Sequence, residues 1–65
     1  MIPDISRGKW RRIGGAVEHW WGELTDDDLD RIDGRMEVLA GVLRERSGYS
    51  REEAENEIAR FLNEN

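Results

Sequence analysis

Apolar residues along this chain recur at the spacing of an α-helix. Neighbouring apolar positions lie three or four residues apart, which places them on one face of each helix. The three sets are Trp10, Ile13, Val17, Trp21 and Leu24; Leu29, Ile32, Met36, Leu39 and Leu43 with Val42 beside them; and Ala54, Ile58, Phe61 and Leu62. The pattern predicts an all-α chain in which each helix buries one face.

Two short polar motifs predict where helices begin. Ser50 followed by Glu53 has the spacing of a capping box, in which each side chain bonds the other residue's backbone N–H. Thr25 followed by Asp28 is the acidic analogue of that motif. A helix is therefore expected to begin after Thr25 and another after Ser50.

Glycines predict where helices end. Gly22 and Gly48 occupy the position at which a left-handed glycine terminates a helix. Gly34 leaves open whether the middle two helices are separate or form one bent helix. The expected helices lie near 4–21, 26–33, 35–46 and 51–63.

The chain also contains an internal repeat, in which residues 8–29 resemble residues 34–54. Glycines recur every seven residues in both copies, at Gly8, Gly15 and Gly22 and again at Gly34, Gly41 and Gly48. A repeat of this length is one supersecondary unit that buries its apolar face on the other copy. The repeat predicts a single domain over residues 1–65, built from two duplicated helical hairpins.

Gly14, Gly15 and Gly41 are not explained by helix ends. A glycine inside a helix costs about 1 kcal/mol relative to alanine, so each needs a reason. One interpretation is close packing of one helix backbone across another. The other is a second contact surface, or helices that become ordered only with a partner. The sequence does not decide between these two interpretations.

Length and composition exclude several classes of protein. The 65 residues leave room for a small core and no separate catalytic domain. The chain has no cysteine and a single histidine, which argues against disulfides and zinc. No apolar run approaches the roughly 20 residues of a membrane span, and no signal peptide opens the chain. A cytoplasmic protein without cofactor or membrane contact is expected.

Charge is unevenly distributed. Residues 1–24 carry four basic and three acidic side chains, whereas residues 25–65 carry six basic and twelve acidic ones. The basic positions at the start are Arg7, Lys9, Arg11 and Arg12, with Trp10 among them. They support an alternative function, weak non-specific binding of nucleic acid through the hairpins. Acidic residues follow both hairpin glycines and repel phosphate, so nucleic acid is the less favoured partner.

Metal and catalytic sites are not supported. The cluster Asp26, Asp27, Asp28, Asp30 and Asp33 lacks the glycine and glutamate positions of an EF-hand loop and instead complements a helix dipole. His19 projects away from the apolar face and has no nucleophile nearby in sequence. Neither a metal, a cofactor nor catalytic residues are expected.

The tryptophans suggest a contact surface. Trp10 and Trp21 lie within the apolar face and are expected in the core. Trp20 lies on its flank, and in so small a core one of the two indoles, Trp20 or Trp21, is expected to be half-exposed. An exposed Trp20 could form, with Val38 or Val42, a patch for a protein partner or a weak homo-oligomer. Trp20, Gly14, Gly15 and Gly41 are the candidate partner contacts.

Several segments match a known family. The segments GKW, WGELTDDDL, IDGR and GYSREEAENEI, together with Gly15 and Leu39-Ala40-Gly41, resemble the CsbD-like family of small bacterial stress-response proteins. The resemblance covers residues 8–62. It implies two helical hairpins packed crosswise, similar to helix-hairpin-helix and SAM-like domains, and a cytoplasmic protein of general stress. It implies no molecular activity and no catalytic residues, which favours a non-enzymatic interaction or protective module.

Overall fold

Four α-helices make up most of the computed structural model, which describes residues 2–64. They are α1 (Arg7–Trp20), α2 (Asp26–Ile32), α3 (Met36–Ser47) and α4 (Arg51–Glu64). Residues 2–64 contain no β-strand, and the all-α prediction is confirmed. Single-domain organisation, duplication of the hairpins and their crosswise packing stay predictions. The ends of the expected domain, Met1 and Asn65, lie outside the described residues.

The core consists of residues from the three predicted apolar sets. Its buried members are Trp10, Val17, Trp21, Leu24, Ile32, Met36, Leu39, Val42, Leu43, Ala54, Ile58 and Phe61. Ile13, Leu29 and Leu62, which complete those sets, are half-buried at its edge. Burial of each large apolar side chain contributes about 1.5–3 kcal/mol, so the helical spacing of these residues determines how the helices pack. Within residues 2–64, no helix is both long enough and apolar enough to cross a membrane.

Helix α1 begins later than the sequence predicted. The Ser6 side chain accepts a hydrogen bond from the Lys9 backbone N–H (3.3 Å), while Ser6 itself is extended. This arrangement is an N-cap, because it satisfies one of the N–H groups that have no partner within the helix. The predicted start near residue 4 is therefore wrong, and residues 2–6 form a non-helical N-terminal segment.

The N-terminal segment lies against the connection between α2 and α3. The Ile5 backbone N–H donates to the Gly34 carbonyl oxygen (2.8 Å), and the Met36 N–H donates to Asp4 Oδ1 (3.1 Å). Arg35, the N-cap residue of α3, provides no capping hydrogen bond from its side chain. The Asp4 carboxylate therefore caps α3 from a distant part of the chain.

The turn after α1 differs from the predicted glycine cap. Positive φ occurs at Asp33, Gly34 and Gly48, so within the described residues Gly22 is not left-handed and that prediction is wrong. Helix α1 ends instead at Trp20, and the residue that follows it, Trp21, has φ −119° and ψ 89°. The Leu24 N–H then donates to the Trp21 carbonyl oxygen (3.1 Å). Both of these side chains are buried, so the turn holds them in the core without a left-handed residue at Gly22.

Helices α2 and α3 are separate. Thr25 and Asp28 form the predicted capping box, with N–H to oxygen distances of 3.1 and 3.2 Å. Asp33 (φ 48°) and Gly34 (φ 86°) are both left-handed and end α2. Two consecutive left-handed residues cannot continue a helix, which excludes a single bent helix.

The connection between α3 and α4 follows the prediction. Gly48 is left-handed (φ 69°), and its N–H donates to the Arg44 carbonyl oxygen (3.2 Å). Ser50 and Glu53 form the predicted capping box, with distances of 2.8 and 3.1 Å. The backbone N–H of Ser50 holds the pKa of the Glu53 carboxyl below its ordinary value.

Candidate interaction surface

An open groove of about 680 Å³ lies beside α3 and α4, and the N-terminal segment borders it. Its apolar lining comes from Met36 and Ile58, which are buried, and from the half-buried Ala40 and Ile2. A volume of this size is within the range of ligand-binding clefts. The groove is therefore a candidate contact surface.

Gly41 forms part of the groove wall. It lies in the middle of α3, is exposed, and has open space around the position where a Cβ would project. Close packing of helix backbones is thus the wrong explanation for Gly41. Because glycine has no side chain, the groove is wider than it would be with any other residue at this position.

Charged side chains of both signs line the same groove. Arg44 and Arg51 are the cations; Asp4, Glu37 and Glu55 are the carboxylates. Arg51 Nε lies 3.8 Å from Glu55 Oε2, and both side chains are largely exposed. An exposed pair at this distance contributes little stability, so Arg51 and Glu55 remain able to contact a ligand.

A second cavity of about 290 Å³ lies on the other side of the N-terminal segment. It is lined by Pro3, Asp4, Ile5, Ser6, Lys9 and Ile13, together with Phe61 and Leu62. The sequence did not predict either cavity, because both depend on where the N-terminal segment lies. The one local signal for the larger groove was Gly41, a glycine on the side of α3 opposite its apolar face.

The candidate glycines on α1 have different surroundings. A Cβ on Gly14 would lie 3.6 Å from Leu29 Cδ1, an ordinary contact across α1 and α2. Gly15 is exposed with nothing within 4 Å. Close packing is therefore the wrong explanation for Gly15 as well, and Gly14 lies at a helix contact that would accept a methyl group.

Trp20 is half-buried, as expected, but packs onto α4. Its ring is edge-on to Phe61 with centroids 5.5 Å apart, and its Nε1 donates to Glu57 Oε1 at 3.4 Å. Val42, one of its two predicted companions, is buried, so that version of the patch is wrong. Val38 is half-buried. Trp10 and Trp21 are in the core, as predicted.

The basic residues of α1 are exposed. Arg7 Nε pairs with Asp33 Oδ2 at 2.8 Å. Lys9, Arg11 and Arg12 have no carboxylate within 4.0 Å among residues 2–64. Three of the four basic side chains at the start of α1 are therefore unpaired among the described residues.

The acidic cluster of α2 has a structural role at one position. Asp28 is buried and accepts hydrogen bonds from Arg46 Nε (3.1 Å) and Arg46 Nη2 (3.0 Å). It also accepts one from the Thr25 backbone N–H. Arg46 in particular holds the pKa of the Asp28 carboxyl below its ordinary value. In the part of the chain that the structure describes, no three His, Cys, Asp or Glu residues come together as a metal site.

His19 is exposed on α1, where the sequence placed it. Its neighbour Glu18 lies beside Asp26 at the start of α2. The protonated Glu18 carboxyl donates a hydrogen bond to the Asp26 carboxylate, and this bond, followed by partial desolvation and the Asp26 charge, raises the pKa of Glu18. The two carboxyls form an electrostatic contact between α1 and α2.

These features define a small all-α protein of four helices with an open, charged groove. Similar chains include a UPF0337 protein of Pseudomonas aeruginosa, 48% identical over 61 residues that cover 94% of each chain. A UPF0337 protein of Bordetella pertussis is 45% identical over 65 residues, all of this chain and 98% of the other. The UPF0337 protein YjbJ of Escherichia coli K12 is 41% identical over 58 residues, 89% and 84% of the two chains.

The chain belongs to the UPF0337 family, which is the CsbD-like family. The names of these relatives state neither an activity nor a stress response. No family model matches the sequence. No solved structure matches it either.

Proposed function

We propose that this protein is a non-enzymatic interaction module that binds a protein segment in the groove beside α3 and α4. The observation that carries the proposal is Gly41. Its helical backbone does not require glycine, its position is exposed, and open space surrounds it. Gly41 lowers the stability of α3 by about 1 kcal/mol relative to alanine, and it lines the groove, which a larger side chain would narrow.

The groove has the make-up of a protein contact surface. It combines an apolar floor with a charged rim, as interfaces do. The module acts without a cofactor. The setting implied by the CsbD-like resemblance, the bacterial cytoplasm under general stress, is part of this proposal, and binding a partner is compatible with the protective role considered from the sequence.

A pair of substitutions tests the groove. Gly41→Leu fills it, whereas Gly15→Leu adds the same side chain to the exposed face of α1. Both replace an exposed helical glycine and gain helix propensity, so neither is expected to unfold the protein. Proteins captured from stressed cells by the unaltered chain should be lost with Gly41→Leu and retained with Gly15→Leu. Equal recovery with both variants would refute the groove as the contact surface.

Weak nucleic-acid binding is the second candidate, supported by the exposed and unpaired Lys9, Arg11 and Arg12. The hairpin turns do not support it, because the Thr25 and Ser50 capping boxes already satisfy backbone N–H groups at both helix starts. A DNA titration followed by tryptophan fluorescence at low and high salt tests this alternative. A change that disappears at high salt and in Arg11→Glu would support it.

A further inference from the structure

The charges that line the groove are sorted along its length. Arg44 lies in the last turn of α3 and Arg51 is the first residue of α4, so both lie where the two helices are connected. Asp4 and Glu37 lie at the opposite end of α3, where Asp4 Oδ1 accepts the Met36 N–H at 3.1 Å. One end of the groove is therefore basic and the other acidic.

The distance between these ends follows from helix geometry. Glu37 and Arg44 are seven residues apart, which places them on the same face of α3 with about 10 Å between them along the axis. Neither has an oppositely charged group within 4.0 Å among residues 2–64. Both side chains are exposed and able to pair with a ligand.

The middle of the groove is apolar and open. Ala40 and Gly41 lie between Glu37 and Arg44 on α3, and Gly41 adds no side chain there; Ile58 of α4 also lines the groove. Glu55 is the one carboxylate near the basic end, where it lies 3.8 Å from Arg51 and offsets part of its charge. Arg44 is consequently the main cation of that end.

We infer that the partner is an amphipathic protein segment with an acidic side chain at one end, a basic side chain about two helical turns away, and apolar side chains between them. The inference rests on the proposed function of the groove. The acidic side chain lies at Arg44 and the basic one at Glu37 and Asp4, with the apolar residues on Ala40 and Ile58. A ligand of uniform charge, such as a nucleic acid, would meet a like charge at one end.

Three synthetic peptides of equal length and equal apolar content test this charge pattern. One carries Glu at one end and Lys at the other, one carries Glu at both ends, and one carries Lys at both ends. Each is labelled and titrated with the full chain at about 0.15 M salt, and fluorescence anisotropy reports binding. We expect the Glu–Lys peptide to bind about fivefold more tightly than either of the others, since it forms two favourable end contacts.

Variants of the chain distinguish the effect of the charges on peptide binding from the effect of the groove's shape. Arg44→Glu makes both ends acidic and should transfer the preference to the Lys–Lys peptide. Arg11→Glu changes the net charge equally on α1 and should leave the order of the peptides unchanged. Gly41→Leu should abolish binding of all three peptides, and Gly15→Leu should not.

The remaining outcomes would reject the charge pattern, the groove or the identity of the occupant. Equal binding of the three peptides that Gly41→Leu still abolishes would overturn the charge pattern and leave the groove as a binding site. Failure of every peptide to bind, or binding unaffected by Gly41→Leu, would overturn the groove and with it the proposed function. Self-association in sedimentation that Gly41→Leu removes would identify a second copy as the occupant and would also reject this inference.

Discussion

Asp28 shows how one residue can serve two elements. Among residues 2–64 it is the only charged side chain that is buried. Its carboxylate caps α2 through the Thr25 N–H and also receives both hydrogen bonds from Arg46 on α3. A buried carboxylate is stable only when its oxygens are bonded in this way. The cap was predicted because it is local, whereas the bond to Arg46 depends on the fold and was not.

The role of Asp28 can be tested by measuring how its replacement changes the stability of the protein at different pH values. We expect Asp28→Asn to lower the free energy of unfolding at pH 7 by about 2 kcal/mol, the combined effect of a weakened cap and a lost charged hydrogen bond. Because folding lowers the pKa of Asp28, its stabilisation is complete above the pKa of the unfolded state, about 3.9, and is lost as the pH falls through the folded value. The difference from the unaltered protein should therefore shrink below pH 4 in thermal melts.

The control is Asp27→Asn. Asp27 is exposed in the same first turn, so this change affects only the interaction with the helix dipole, worth about 0.5 kcal/mol. Glu18, whose raised pKa adds stability as the pH falls, titrates in all three proteins and cancels in the comparison. A pH-independent loss in Asp28→Asn would show that its charge is not what stabilises the fold.

At the scale of elements, the N-terminal segment determines how α3 starts. Arg35 cannot cap this helix, and Asp4 does so instead. Gly34 makes the contact possible, because a Cβ there would overlap the Ile5 carbonyl oxygen and its φ of 86° also disfavours other residues. Helical spacing before Arg7 gave no indication of this, since the contact joins residues far apart in sequence.

Gly34→Ala should consequently destabilise the protein far more than Gly48→Ala. Both glycines are left-handed, but Gly48 has open space around it, so alanine there adds only backbone strain of about 1 kcal/mol. Alanine at Gly34 must also displace the N-terminal segment, and we expect a loss of roughly 3 kcal/mol. Denaturant unfolding of the two variants measures both losses. Equal losses would mean that the N-terminal segment does not lie against Gly34.

At the scale of the whole molecule, the sequence predicted the fold better than the surface. Every buried core residue belongs to a predicted apolar set, because helical periodicity records which face each helix buries. The three connections between helices were predicted less well. The left-handed glycine at Gly48 was predicted correctly and the one at Gly22 wrongly, and the sequence left open whether Gly34 separates α2 from α3. The groove was not predicted as a cavity, although Gly41 was singled out, because concave surfaces arise from the relative placement of elements and leave no period in the sequence.

The two exposed helical glycines have a measurable effect on total stability. A chain of this size holds only about 3–5 kcal/mol, so two glycines that each cost about 1 kcal/mol take a large share of it. Gly15 and Gly41 lie on different helices, and nothing is within 4 Å of the Cβ position at either. Their substitutions should therefore act independently.

We expect Gly15→Ala and Gly41→Ala each to raise the melting temperature by about 4–8 °C, and the double variant to show the sum. Calorimetry of the two single variants and the double variant tests this directly. A fall in melting temperature at either site would mean that a backbone or side chain lies closer than the structure places it. If both rise and only Gly41→Ala weakens binding of the Glu–Lys peptide, Gly41 lowers stability in order to keep the groove open, whereas Gly15 lowers it without a role in binding there.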